Sequence, residues 1–302
     1  RQARRTGRVV AQMAGDRLLL ELPQETWDTE ALDRVYRHPF TRDLKGGGES
    51  PALTMNRFSL TAHRGCRGGC AFCSIAAHQG VGVVSRSRDS LAEEVARMVR
   101  HERWRGQISD VGGASAEMYG WDGGGGTDPK RYMELLRFLG RRPGVKQVLL
   151  GSGIRYDLWL DTPELLEELM REHGGSFLRV APEHGSDRVL RWMNKPSFDH
   201  FPRFVSLFER INSRLRRPLR LAPYMVVGHP GEEARDVEET VSAFRRLRLS
   251  LRDVQMFTPS PGSRATALYV AGCDETGAEL PVCRDIREVE RRKNRLIEGT
   301  RR

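Results

Sequence analysis

Ser59-Leu60-Thr61-Ala62-His63-Arg64-Gly65-Cys66-Arg67-Gly68-Gly69-Cys70-Ala71-Phe72-Cys73 is the stretch that decides the fold. A short strand-like run, Ser59 to Ala62, breaks into a glycine-rich loop that carries three cysteines. A strand ending in a chemically loaded loop is the first half of a β-α unit, and the pattern repeats downstream. Strands are predicted at Ile108 to Val111, Gln147 to Gly151, Phe177 to Ala181, Leu219 to Val227 and Val254 to Phe257. Helical periodicity fills the gaps. Ser90 to Arg103 starts on a serine cap, and Thr162 to His173 has Pro163 in its first turn and Gly174-Gly175 after its end. Asp128 to Arg141 and Glu233 to Leu247 share the amphipathic pattern.

Six β-α units, not the eight of a closed barrel, predict an α/β fold of the partial (β/α)6 TIM-like barrel type. A doubly wound parallel sheet is the alternative. Either architecture gathers its chemistry at the C-terminal ends of the strands. The distinctive residues obey that rule: the cysteines follow the first strand, Gly112-Gly113 the second and Gly151-Ser152-Gly153 the third. Pro182-Glu183-His184-Gly185, Gly228-His229-Pro230-Gly231 and Pro259-Ser260-Pro261-Gly262 follow the fourth, fifth and sixth. Residues 1–57 then form a lead-in segment, 58–272 the core, and 273–302 a helical extension.

Cys66, Cys70 and Cys73 are spaced C-x3-C-x2-C, so a tight loop freed by Gly65, Gly68 and Gly69 can turn all three sulfurs toward one inorganic centre. Three thiolates hold three irons of a 4Fe-4S cluster and leave the fourth open, as a catalytic centre requires. The rival reading is a zinc site completed by His63 or His78. Cys273 and Cys283 read as plain packed thiols. Five cysteines without a secretion signal argue for reduced thiols, not a disulfide framework.

The 302 residues are 38% hydrophobic and 30% charged, enough for one large domain with a real core. No run of about 18 apolar residues occurs, so neither a membrane span nor a signal peptide is expected, and the expected location is cytoplasmic. Fifty Lys+Arg against 40 Asp+Glu give +10, nearly all from arginine, a bias that a GC-rich coding sequence also produces. The chain opens at Arg1, and the runs Gly46 to Gly48 and Gly123 to Gly126 have linker composition, which reads as an excised core with replaced loops.

C-x3-C-x-aromatic-C, with Phe72 before Cys73, resembles the signature of the radical S-adenosylmethionine (SAM) superfamily. His63-Arg64-Gly65-Cys66, Phe72-Cys73-Ser74-Ile75, Ile108 to Gly113, Ser152 to Asp157 and Ala181-Pro182-Glu183-His184 are similar to the YgiQ family within it. Gly185 to Leu190 with Met193-Asn194-Lys195, Gly228 to Glu232 and Pro261-Gly262-Ser263 resemble methylthiotransferase and cobalamin-type members. The resemblance covers about Pro39 to Leu296. It implies a 4Fe-4S cluster on Cys66, Cys70 and Cys73, with the amine and carboxylate of SAM on the fourth iron.

Gly112 and Gly113 would then meet the SAM amine through backbone carbonyls, since Ala114 stands where the superfamily has an acid. Phe72 and Val226 would flank the adenine, and Glu183 would meet the ribose. Ser152 and Arg155 are candidates for the SAM carboxylate or for substrate. Glu117, Tyr119, Arg155, Glu183, His184 and His229 are candidates at the barrel mouth for substrate contact. The implied chemistry is one-electron cleavage of SAM to a 5'-deoxyadenosyl radical that takes hydrogen from a substrate, with an external one-electron reductant. That substrate is a small molecule, a peptide or RNA. Basic stretches at Arg1 to Arg8, Arg210 to Arg220 and Arg284 to Arg302 favour RNA, and their lack of interleaved aromatics counts against it. A metal-binding core that cannot turn over is the remaining alternative.

Overall fold

The computed structural model describes residues 9–22, 27–121 and 129–301. Its framework is the six expected strands: β1 (Ser59–Thr61), β2 in two pieces (Gln107–Ile108 and Asp110–Gly112), β3 (Gln147–Val148), β4 (Phe177–Glu183), β5 (Arg220–Val227) and β6 (Asp253–Met256). Every pairing among them is parallel. β1 lies on the second piece of β2, the first piece of β2 lies on β3, and β5 sits between β4 and β6. β3 reaches β4 through the Ile154–Val180 bridge and the Ile154 N–H donated to Arg179 O at 3.0 Å. The strands therefore run in sequential order, which is barrel topology; a doubly wound sheet would reverse its order midway. Among the described residues no pairing joins β6 to β1, so the barrel is open.

Sequence alternation explains the two faces. In β5, Pro223, Met225 and Val227 are buried, whereas Tyr224 and Val226 between them keep partial exposure. In β4, Leu178 and Val180 are buried and Arg179 and Ala181 are not. One face packs under the helices and the other lines the concave side, where the Tyr224 ring comes close to Gly153 at the end of β3. On the helix side Tyr156, Phe198, Phe201, Phe204 and Phe244 pack edge to face or tilted, with ring centroids 5.3–6.0 Å apart. Burying each such ring stabilises the core by about 1.5–3 kcal/mol.

Helix boundaries differ in instructive ways. The helix expected from Ser90 spans Arg88–Val99, because Ser87 is the cap: its Oγ accepts the Ser90 N–H at 3.1 Å. Pro163–Glu168 is α-helical as expected and loosens into a π-turn over Leu169–His173. Ala234–Arg246 opens on a capping box in which the Glu233 N–H donates to Asp236 Oδ2 at 2.7 Å. Pro129–Gly140 begins one residue after Asp128, which lies outside the described residues with Arg1 to Arg8, Gly123 to Gly126 and Arg302. Ile286–Gly299 closes the chain on the β5–β6 side, with Val289 against Gly228. No helix among the described residues is long and apolar enough to cross a membrane.

Candidate metal and cofactor site

The cysteine loop is braced from several directions. Gly65 holds φ +88°, and a side-chain carbon there would overlap the Gly82 carbonyl oxygen. The Cys66 N–H donates to Gly80 O at 3.2 Å and the Gly65 N–H to Gln79 Oε1 at 3.2 Å, tying the loop's start to the end of helix Ile75–Gln79. From the far side, the turn after helix Asp187–Met193 holds its middle. Met193 O accepts the Ala71 N–H at 2.8 Å, and Asn194 Nδ2 donates to Gly69 O at 2.9 Å. Asn194 does so with φ +54°, a left-handed conformation that asparagine tolerates. The Ala265 N–H adds a fifth tie, to Ala71 O at 2.8 Å.

The sulfurs themselves accept backbone hydrogen bonds, Gly68 N–H to Cys66 Sγ at 3.3 Å and Ile75 N–H to Cys73 Sγ at 3.4 Å. A carbon on Gly68 would stand 3.4 Å from Cys66 Sγ, 3.6 Å from Arg155 Nη1 and 3.8 Å from Cys70 Sγ, so two thiols and one guanidinium share a small space. Burial pushes the Cys66 and Cys70 thiols up, and the positive charges of Lys195 and Arg155 pull both back toward the thiolate that binds metal. All three thiols are free and partly exposed. Among the described residues no three His, Cys, Asp or Glu side chains converge on a point that would hold a single ion. His63 packs its buried ring against Gly113. A 4Fe-4S cluster gives each thiolate its own iron, so it does not require the three sulfurs to meet at one point.

The expected cofactor residues gather around that loop. Phe72 and Val226 pack against the same Val189, Leu190 and Met193 cluster. Gly112 lies beside Ser152, whose Oγ is 3.7 Å from where a Gly112 side chain would begin. Asp110 Oδ1 fixes that corner by accepting from Gly151 N–H at 2.9 Å, Ser152 N–H at 3.1 Å and Ser152 Oγ at 3.0 Å. Arg155 is locked by Asp157 at 2.7 Å. Glu183 holds φ +67° at a bulge in β4, a conformation costly for a side chain with a Cβ and commonest where function demands it. Burial pushes its carboxyl above the ordinary range, and Lys195, with Nζ 3.8 Å from Glu183 Oε1, offsets part of that.

Several expectations need correction. The Gly112 carbonyl accepts the Ala62 N–H at 2.6 Å, extending the β1–β2 pairing, so an amine would meet it through its second lone pair. Glu117 and His184 are fully buried, and neither touches the mouth. Glu117 accepts from Ser115 Oγ at 2.6 Å, Trp159 Nε1 at 2.8 Å and Arg155 N–H at 3.0 Å, so it positions Arg155. His184 Nδ1 is engaged by Ser186 N–H and Thr240 Oγ1. Tyr119 gives its hydroxyl to Arg86 O at 3.2 Å. His229 is buried between the rings of Phe72 and Phe257, and that burial lowers its pKa to about 4. Lys195 is the site residue that sequence reasoning assigned no role; the signal was an asparagine in a turn immediately after a short helix.

The family model for the radical SAM superfamily matches residues 60–244. A UPF0313 protein of Geobacter sulfurreducens is 39% identical over 95% of this chain and 52% of its own length, and one of Bacteroides thetaiotaomicron is 36% identical over 88% and 48%. The chain thus spans about half the length of these curated relatives. Two solved structures share the fold. The radical SAM methyltransferase TsrM of Kitasatospora setae aligns with TM-score 0.53 at 14% identity, over 76% of this chain and 43% of that one. Coproporphyrinogen III oxidase (HemN) of Escherichia coli aligns with TM-score 0.51 at 13% identity, over 91% and 56%.

Proposed function

The chain belongs to the radical SAM superfamily, whose enzymes use a 4Fe-4S cluster and SAM, and from that premise we propose that Cys66, Cys70 and Cys73 hold the cluster of a hydrogen-abstracting enzyme. The observation that carries the reading is the braced loop, which carries three thiols, two of them beside Arg155, while Phe72, Gly112, Gly113, Ser152, Glu183 and Val226 lie at the same end of the strands. When bound, the reduced cluster and SAM supply a 5'-deoxyadenosyl radical.

The protein's share is placement. Phe72 and Val226 offer an apolar slot for the adenine, and Glu183, aimed by its left-handed backbone, offers an acceptor for ribose hydroxyls. Arg155 offers a donor for a carboxylate, retaining Nη1 on the cysteine side while Asp157 holds its other edge, whereas the Ser152 N–H and hydroxyl are both given to Asp110. An external one-electron reductant and a small-molecule or peptide substrate complete the proposal. RNA as substrate gains no support from placement. Arg210 to Arg220 leads into β5 at the N-terminal ends of the strands, the end opposite the cysteine loop, and Arg214 is paired with Glu167 at 2.7 Å.

The test is 5'-deoxyadenosine formed from SAM by anaerobically reconstituted protein under dithionite. Product is expected from the parent and none from Cys73→Ala. Equal product from both would contradict the assignment.

A further inference from the structure

Lys195 and Glu183 form a nearly closed-off pair at the edge of the cysteine loop. Their side chains are only 7% and 11% exposed, and their charges stand 3.8 Å apart without a hydrogen bond. Two uncommon backbone conformations deliver them: φ +67° at Glu183 itself and φ +54° at Asn194, whose amide clamps Gly69 in the loop. A buried carboxylate and ammonium kept just out of hydrogen-bond range gain little stability. They still set a local field. On the other flank Arg155 brings a second cation beside Cys66 and Cys70, with Asp157 as its counter-charge. One cation–anion pair therefore stands beside Cys66 and Cys70, and the other follows directly on the residue that clamps Gly69.

Resting on the radical SAM reading, we propose that the Lys195–Glu183 pair tunes the reduction potential of the cluster, Lys195 favouring the reduced form and Glu183 opposing it. A cluster held by thiolates carries net negative charge, and the electron accepted from a one-electron donor makes it more negative. A fixed cation nearby stabilises the reduced state more than the oxidised one, and a fixed anion does the reverse.

The experiment is an EPR-monitored potentiometric titration of reconstituted parent, Lys195→Gln and Glu183→Gln, before SAM is added, with iron and sulfide measured on each sample. Lys195→Gln is expected to lower the reduction equilibrium constant by about tenfold, or about 59 mV for a one-electron couple. Glu183→Gln keeps the lysine and the Asn194 brace and is expected to raise it. Opposite signs distinguish a charge effect from loosening of the loop, which would shift both variants alike. Unchanged or same-sign potentials in cluster-holding variants overturn the assignment, and so does an unmoved Glu183→Gln should Lys195→Gln fail to load. A parent chain that takes up no iron overturns both this proposal and the reading beneath it.

Discussion

Gly65→Ala is expected to cut cluster loading more than tenfold while leaving the far-ultraviolet circular dichroism of the chain unchanged. The added carbon would overlap the Gly82 carbonyl oxygen, a backbone atom that no side-chain rotation can move. The φ of +88° compounds the problem, since left-handed backbone costs an ordinary residue on the order of 1–2 kcal/mol. Relief requires the loop to lift away from Gly80 and Gln79, which carries Cys66 out of register with Cys70 and Cys73. Gly82→Ala is the control, because a carbon at Gly82 meets nothing within 4 Å. Iron retained by Gly65→Ala at the level of Gly82→Ala would show that the brace does not set the geometry of the thiols.

The second large effect belongs to Glu117. Replacement by leucine leaves the Trp159 indole N–H, the Arg155 backbone N–H and the Ser115 hydroxyl without their shared acceptor in a fully buried place. Unsatisfied buried donors cost about 1–3 kcal/mol each, so Glu117→Leu is expected to destabilise by on the order of 4 kcal/mol. Against a total stability of about 5–15 kcal/mol that is a severe loss. Glu117→Gln is expected to be mild, since its amide oxygen keeps the two N–H donors and its NH2 can donate to a reoriented Ser115 hydroxyl. Urea midpoints for the pair check this; a Glu117→Leu midpoint matching the parent's would contradict it.

The residues reveal the strands and the cysteine loop because those signals are local. Short apolar runs followed by glycine-bearing loops mark β1 to β6, and three cysteines within eight positions announce themselves. What escapes is whatever depends on the fold bringing distant segments together. Nothing around Asn194 says that its amide binds Gly69, 125 positions earlier. Glu117 reads as a mouth residue because it lies four positions past Gly113, yet a 3-10 turn over Ala116–Met118 carries it inward to Trp159. Nothing around Gly112 says that its carbonyl accepts the Ala62 N–H, fifty positions earlier. The choice between Ser87 and Ser90 as helix cap turns on one hydrogen bond, since both are serines ahead of the same apolar periodicity.

The most direct test of the account is the iron and acid-labile sulfide content of the anaerobically reconstituted chain, measured beside zinc, for the parent and for Cys66→Ala, Cys70→Ala and Cys73→Ala. The account predicts about four irons and four sulfides per parent chain, with loss of both in each variant. About one zinc per chain with no sulfide would contradict it, because one zinc with metal–sulfur bonds of about 2.3 Å needs the three thiols drawn onto one point.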